Sequence, residues 1–189
     1  MIWLISNIGG DYKKLLHTMN SINPSCSDTV IVTGLIGKTF NALNTVEFCI
    51  NNGIESILTP FEAKFYGVFK ENSYLLEEEL MQGCQLYYKY LDDNIIRERH
   101  MQYISSLTPE IQIGGYTISY RGNETWEDLS KNNHKDYVST GKDTIFCGFN
   151  TEIFRKPEIW KDETTGNILL NVNKTIAFEL TEKKAFVIN

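Results

Sequence analysis

Histidine is scarce: the 189-residue sequence holds three, His17, His100 and His134, far apart and in unlike contexts. A metal site or proton relay built on imidazole needs several rings close together, so the chain offers poor material for one. Cysteine is equally thin. Cys26, Cys49, Cys84 and Cys147 include no close pair, which excludes a zinc knuckle or a redox dithiol motif and leaves free, buried thiols as the plain reading. Basic residues are outnumbered, 18 Lys and Arg against 24 Asp and Glu, for a net charge of -6 and a pI of about 5.1. That balance argues against a broad surface for nucleic acid or anionic lipid and leaves room only for a local basic spot. Long apolar runs are missing too: none approaches the ~18 residues of a membrane helix. The apolar start, residues 1–8, has no basic flank and is too short for a signal peptide. The expectation is a cytoplasmic protein without a membrane partner, in which the N-x-S/T matches at Asn123 and Asn173 carry no meaning.

Against these absences stand 42% hydrophobic and 22% charged residues, the make-up of an ordinary globular chain. A core of this size needs no disulfide or structural metal. No linker, repeat or low-complexity stretch interrupts the sequence, so one domain over residues 1–189 is expected.

Ile2-Trp3-Leu4-Ile5 is a short continuous apolar run ending in Ser6-Asn7-Ile8-Gly9-Gly10, the pattern of a buried strand entering a tight loop. Leu15, Leu16, Met19 and Ile22 then recur at helical spacing, with Asp11 as N-cap and Pro24 beyond the end. The cycle repeats as a strand over 29–33, a loop over 34–41, a helix over 42–52 closed by Gly53, and a third strand over 54–58. Two such passes require parallel strands joined by right-handed crossovers.

From 61 to 107 the pattern is helical, with Leu76, Leu80, Cys84, Tyr87 and Leu91 on one stripe and acids Glu77 to Glu79 near its start. Tyr87, Tyr88 and Tyr90 read as core packing before they read as a binding surface. Strands return after Pro109: 111–113 and 116–120 flank Gly114-Gly115, a two-residue hairpin turn. Strands over 144–146, 168–172, 176–180 and 185–188 follow, the last two as a hairpin over 181–184. The fold class expected is α/β, a two-layer β-sandwich flanked by helices, with a helical insertion around 61–107.

This order of elements and loops resembles the calcineurin-like metallophosphoesterases, especially the small bacterial and phage serine/threonine phosphatase and diadenosine tetraphosphatase group. The family's opening GDxHG and following CYDEL correspond to Ser6-Asn7-Ile8-Gly9-Gly10-Asp11-Tyr12-Lys13-Lys14-Leu15. Its DTLIFLGDLVDRG is similar to the stretch from Asp28 to Phe40, and its RGNHE falls on Leu58-Thr59-Pro60-Phe61-Glu62. Ile104 to Leu107 resembles LxSLP, Thr117 to Gly122 resembles FVHAG, and Ile145 to Phe149 resembles VFGHT, so the likeness spans essentially the whole chain.

The resemblance also implies what has been replaced. The family's first Asp and His stand as Asn7 and Gly9, its bridging Asp as Leu35, and the later Asp and Arg of that loop as Lys38 and Thr39. The Asn and His of the third motif are Pro60 and Phe61, and the two later histidines align with Tyr120 and Phe149. Two divalent ions need several carboxylate and imidazole ligands at about 2.0 to 2.2 Å, and Leu, Pro and Phe supply none. No metal or other cofactor is expected, and the family reaction should be absent.

Three readings of function follow. Leu35, Pro60, Phe61, Tyr120 and Phe149 suggest an apolar former active-site mouth, and an exposed apolar patch marks a partner surface. Another protein is then the expected partner, and a viral or phage inhibitor of a host factor is consistent with the Asn, Ile and Lys usage. Alternatively, Gly34-Leu35-Ile36-Gly37-Lys38-Thr39 resembles the end of a P-loop, although Val32 stands where its first glycine should be. Amides around Gly34 and Gly37, with Asn7, Lys38, Thr39 and Arg121, could then bind a phosphorylated small molecule or nucleotide without cleaving it. Asp11, Asp28 and Glu62 read as caps or surface groups, too scattered to rebuild a metal site. An active phosphoesterase with an unrecognised metal site, or acid–base work by Glu62 and Tyr120, is the residual enzymatic alternative.

Overall fold

The computed structural model describes residues 1–36, 42–59, 62, 63, 65, 66, 94–120, 143–149, 158–161, 163, 166–171 and 173–188. Strand β1 (Ile2–Ser6) is apolar on both faces because it lies between two layers. Trp3 and Ile5 join one core with residues of helices α1 (Tyr12–Ile22) and α2 (Ala42–Asn51), while Leu4 joins a second core. Strand β2 (Thr29–Thr33) repeats the division, with Val30 and Val32 on the helix side and Ile31 on the other. A parallel strand covered on both faces requires such a run in place of strict alternation. Full burial of each of these aliphatic side chains contributes roughly 1.5–3 kcal/mol.

Strand β3 (Glu55–Ile57) completes the parallel set β1-β2-β3. Helix α3 (Asn94–Ser106) follows, packing Ile104 into the helix-side core and donating the Tyr103 hydroxyl to the Ile54 carbonyl at 2.7 Å. The second sheet holds β4 (Glu110–Ile113), β5 (Tyr116–Ser119), β6 (Thr144–Phe149), β7 (Ile159–Lys161) and β8 (Ile168–Asn171), in the order β4-β5-β6-β8-β7. The last hairpin, β9 (Thr175–Glu179) and β10 (Lys184–Ile188), returns to the first sheet, whose order is β10-β9-β1-β2-β3.

The second core lies between the sheets: Leu4, Ile31, Ile57, Ile176 and Phe178 of one meet Ile118, Ile145, Ile168 and Leu170 of the other. The architecture is α/β, two mixed five-stranded sheets with helices outside the first. Asp11 caps α1 by accepting from the Lys14 N–H at 3.1 Å. Gly114 and Gly115 turn the β4–β5 hairpin with φ of 59° and 82°, the two positive values a type I′ turn needs.

Element boundaries differ from the sequence reading by a residue, or by three at the end of β6. β6 runs on to Phe149, with a shift in its register against β8 between Phe146 and Phe149 that hides the strand's period. Strand β7 was not expected, since Ile-Trp-Lys is too short to show a period. The Tyr87 cluster and most of the helical stretch from 61 to 93 lie outside the described residues. Among the described residues, no helix is long and apolar enough to cross a membrane.

Candidate functional site

Ligands in α/β sheets sit beyond the carboxyl ends of parallel strands, where connections diverge. Here β1 leads into Asn7, β2 into Gly34, β3 into Leu58 and Thr59, and β5 into Tyr120, while β6 closes on Phe149 and β8 on Asn171. Two sheets bring these ends together, and a band of buried polar residues, Ser6, Thr33, Thr59, Glu62, Ser119, Asn171 and Thr175, marks the place.

Asn7 sits in a left-handed conformation, φ 59°, which asparagine tolerates better than most residues. Its Nδ2 donates to the Asn171 carbonyl at 3.0 Å and the Lys174 carbonyl at 3.4 Å. Its own carbonyl accepts from Thr175 Oγ1 at 3.1 Å, and its N–H donates to Thr33 Oγ1 at 2.9 Å. The side chain therefore ties the end of β1 to the β8–β9 turn. A metal-ligating oxygen would need the opposite chemistry, because the two carbonyls facing this side chain call for a donor.

The loop after β2 is held by a residue far along the chain. Glu62 is fully buried, and its Oε1 accepts from the Ile36 N–H at 2.8 Å while Oε2 accepts from the Thr59 N–H at 3.1 Å. Thr59 Oγ1 also donates to Oε2, and the N–H groups of Leu35 and of Glu62 itself face the carboxylate. Burial pushes the carboxyl up to about 7, and these N–H donors pull against that shift without cancelling it. The local pattern was legible: Thr59 and Glu62 stand at the S/T-x-x-E spacing of a capping box. Its reach to Leu35 and Ile36 was not, because that contact spans 26 residues.

Among the sequence-predicted site residues, the structure brings Asn7, Gly34, Leu35 and Tyr120 to these strand ends. Leu35, expected at an exposed apolar mouth, is instead wholly buried in the helix-side core beside Ile8 and Val46. The loop turns inward there, and a leucine side chain is the part that gains from leaving water. Tyr120 is half-buried against the inter-sheet core, and burial with the nearby Glu62 charge pushes its phenol up to about 12. Glu62, read as a cap or surface group, is a cap but not a surface group. Gly37, Lys38, Thr39, Pro60, Phe61, Arg121 and the Phe149 side chain lie outside the described residues.

The described residues at these ends do not fit a pair of divalent cations. Among the described residues, no three His, Cys, Asp or Glu side chains converge. Asn7 spends its amide on backbone carbonyls, Leu35 is aliphatic, and both Glu62 oxygens already accept hydrogen bonds. Acid–base work by Glu62 would also require a proton path to a side chain with no exposed surface.

No family model matches the chain, and no curated protein matches it by sequence. Among solved structures, the crystal structure of a candidate diadenosine tetraphosphatase is similar with a TM-score of 0.68 at 13% identity, covering 99% of this chain and 92% of that one. A metallophosphoesterase from Sphaerobacter thermophilus is similar with a TM-score of 0.60 at 14% identity, covering 100% of this chain and 88% of the other. The chain has the metallophosphoesterase-like fold that its motif order implied. Likeness at such identity is one of fold, and the site has to be judged on its own residues.

Proposed function

We propose that this protein is a non-hydrolytic member of the metallophosphoesterase-like fold and that it acts by binding, with another protein as its partner. The observation that carries the first half is the internal use of the strand-end residues: Leu35 packs into the core and Glu62 is consumed by backbone donors. Neither can hold or activate a water at a metal pair. The partner class rests on residue identity at the same ends. Pro60 and Phe61 follow β3 and Phe149 ends β6, apolar types where a hydrolase of this fold needs polar ones.

The phosphorylated-ligand reading is weaker, because the Leu35 and Ile36 amides it would use already face a carboxylate. The test is turnover of para-nitrophenyl phosphate and of a dinucleoside polyphosphate with added manganese, alongside capture of host proteins by wild type and Phe61→Asp. No turnover, with a captured protein lost in the Phe61→Asp variant, supports the proposal. Manganese-dependent turnover that copurifies with the chain overturns it.

A further inference from the structure

We propose that the loop after β2 and Thr59, just beyond β3, together form an oxyanion cradle whose resident ligand is the chain's own Glu62 carboxylate. The inference goes beyond the proposed function and holds whether or not the partner is a protein. Its basis is a set of convergent donors from two separate connections: Ile36 N–H at 2.8 Å on one oxygen, Thr59 N–H at 3.1 Å and Thr59 Oγ1 on the other, with the Leu35 N–H beside them. Successive loop amides aimed at one point are the arrangement that binds phosphate and carboxylate groups elsewhere. Glu62 has no exposed surface, and a carboxylate in such a place is tolerable only where donors meet both of its oxygens.

Carboxylates and phosphate oxygens make the same demand on an N–H donor. One cradle takes one anion, so an outside phosphoryl or carboxylate group reaches these amides only when Glu62 has left them. The site is therefore self-filled, and the class of ligand it would take once vacated is a small oxyanion.

The experiment is chemical rescue. Thermal unfolding of wild type and Glu62→Ala is followed above pH 7, where the wild-type carboxyl is ionised, in chloride, formate, inorganic phosphate and the neutral analogue formamide at matched ionic strength. Formate should raise the Tm of Glu62→Ala saturably, by about 4 °C or more, and leave wild type unmoved. Formamide should give no such gain. If Glu62→Ala does not fold in chloride, formate in the refolding buffer should recover folded protein. Absence of any formate effect on the variant overturns the cradle, as does an equal gain in wild type or an equal rescue by formamide. Phosphate acting like formate extends the ligand class to phosphoryl groups; phosphate without effect confines it to carboxylates. Hydrolysis is not a readout here, so failure of this inference and failure of the functional proposal are told apart by separate measurements.

Discussion

Gly34 lies so close to Gly9 that a Cβ placed on Gly34 would stand 3.1 Å from the Gly9 nitrogen. The Gly10 N–H donates to the Gly34 carbonyl at 2.9 Å, so the loops after β1 and β2 are joined backbone to backbone. Gly34 also has a φ of +75°, while Gly9, at +64°, has open space where its side chain would go. Gly34→Ala therefore meets strain and crowding together, and Gly9→Ala meets strain alone. We expect Gly34→Ala to cost about 1–3 kcal/mol and Gly9→Ala about 1 kcal/mol in urea unfolding. Equal losses would show that the approach of the loops is loose.

Restoring the family's carboxylate at the end of β1 should not restore its chemistry. Asn7→Asp would turn a carboxylate oxygen toward the Asn171 and Lys174 carbonyls, which now accept from Nδ2. A loss of about 1–3 kcal/mol is expected, with no manganese-dependent hydrolysis of para-nitrophenyl phosphate. Gain of hydrolysis would mean that the remaining ligands are present after all.

Glu62 should give stability an unusual pH dependence. Its carboxyl is raised from an ordinary 4.5 to about 7, with burial the dominant cause. An acid whose folded value is raised binds its proton more tightly when folded. Its contribution is fully present below 4.5 and is lost as pH rises through about 7. Denaturant midpoints of wild type should accordingly fall across that window relative to Glu62→Gln, which does not titrate. Parallel curves would remove the effect.

Glu47 should behave in the opposite sense. Its carboxylate accepts from Arg99 and lies 2.6 Å from Nε2 of His100, a histidine with no exposed surface. The Arg99 hydrogen bond, helped by His100, holds Glu47 down at about 2 against the opposing effect of partial burial. A lowered value means stability present above 4.5 and lost as pH falls toward 2. The stability gap between wild type and Glu47→Gln, measured by thermal unfolding, should close on acidification. A gap independent of pH would show that the carboxylate's charge is idle.

Much of the fold was legible because its periods are local. The runs at 2–5 and 29–33 announce strands buried on both faces, Asp11 announces a helix start, and Gly114-Gly115 announces a hairpin. The three-residue strand β7 escaped for want of a period, and Leu35 was assigned to a surface because a lone leucine in a loop does not say which way the loop turns.

The α/β order of elements, the residue types at each strand end and the poverty of metal ligands follow from the amino-acid order alone. Side-chain identity needs no folding to be known. What those residues do instead emerges on folding: Asn7 serves carbonyls at 171 and 174, and Glu62 fills the amides of a loop 26 residues away. Glu62 meets the loop after β2 because β2 and β3 pair in parallel, and Asn7 meets Lys174 through the β1–β9 pairing and Asn171 from the facing sheet; contact between distant segments is a property of that assembly, not of any local pattern.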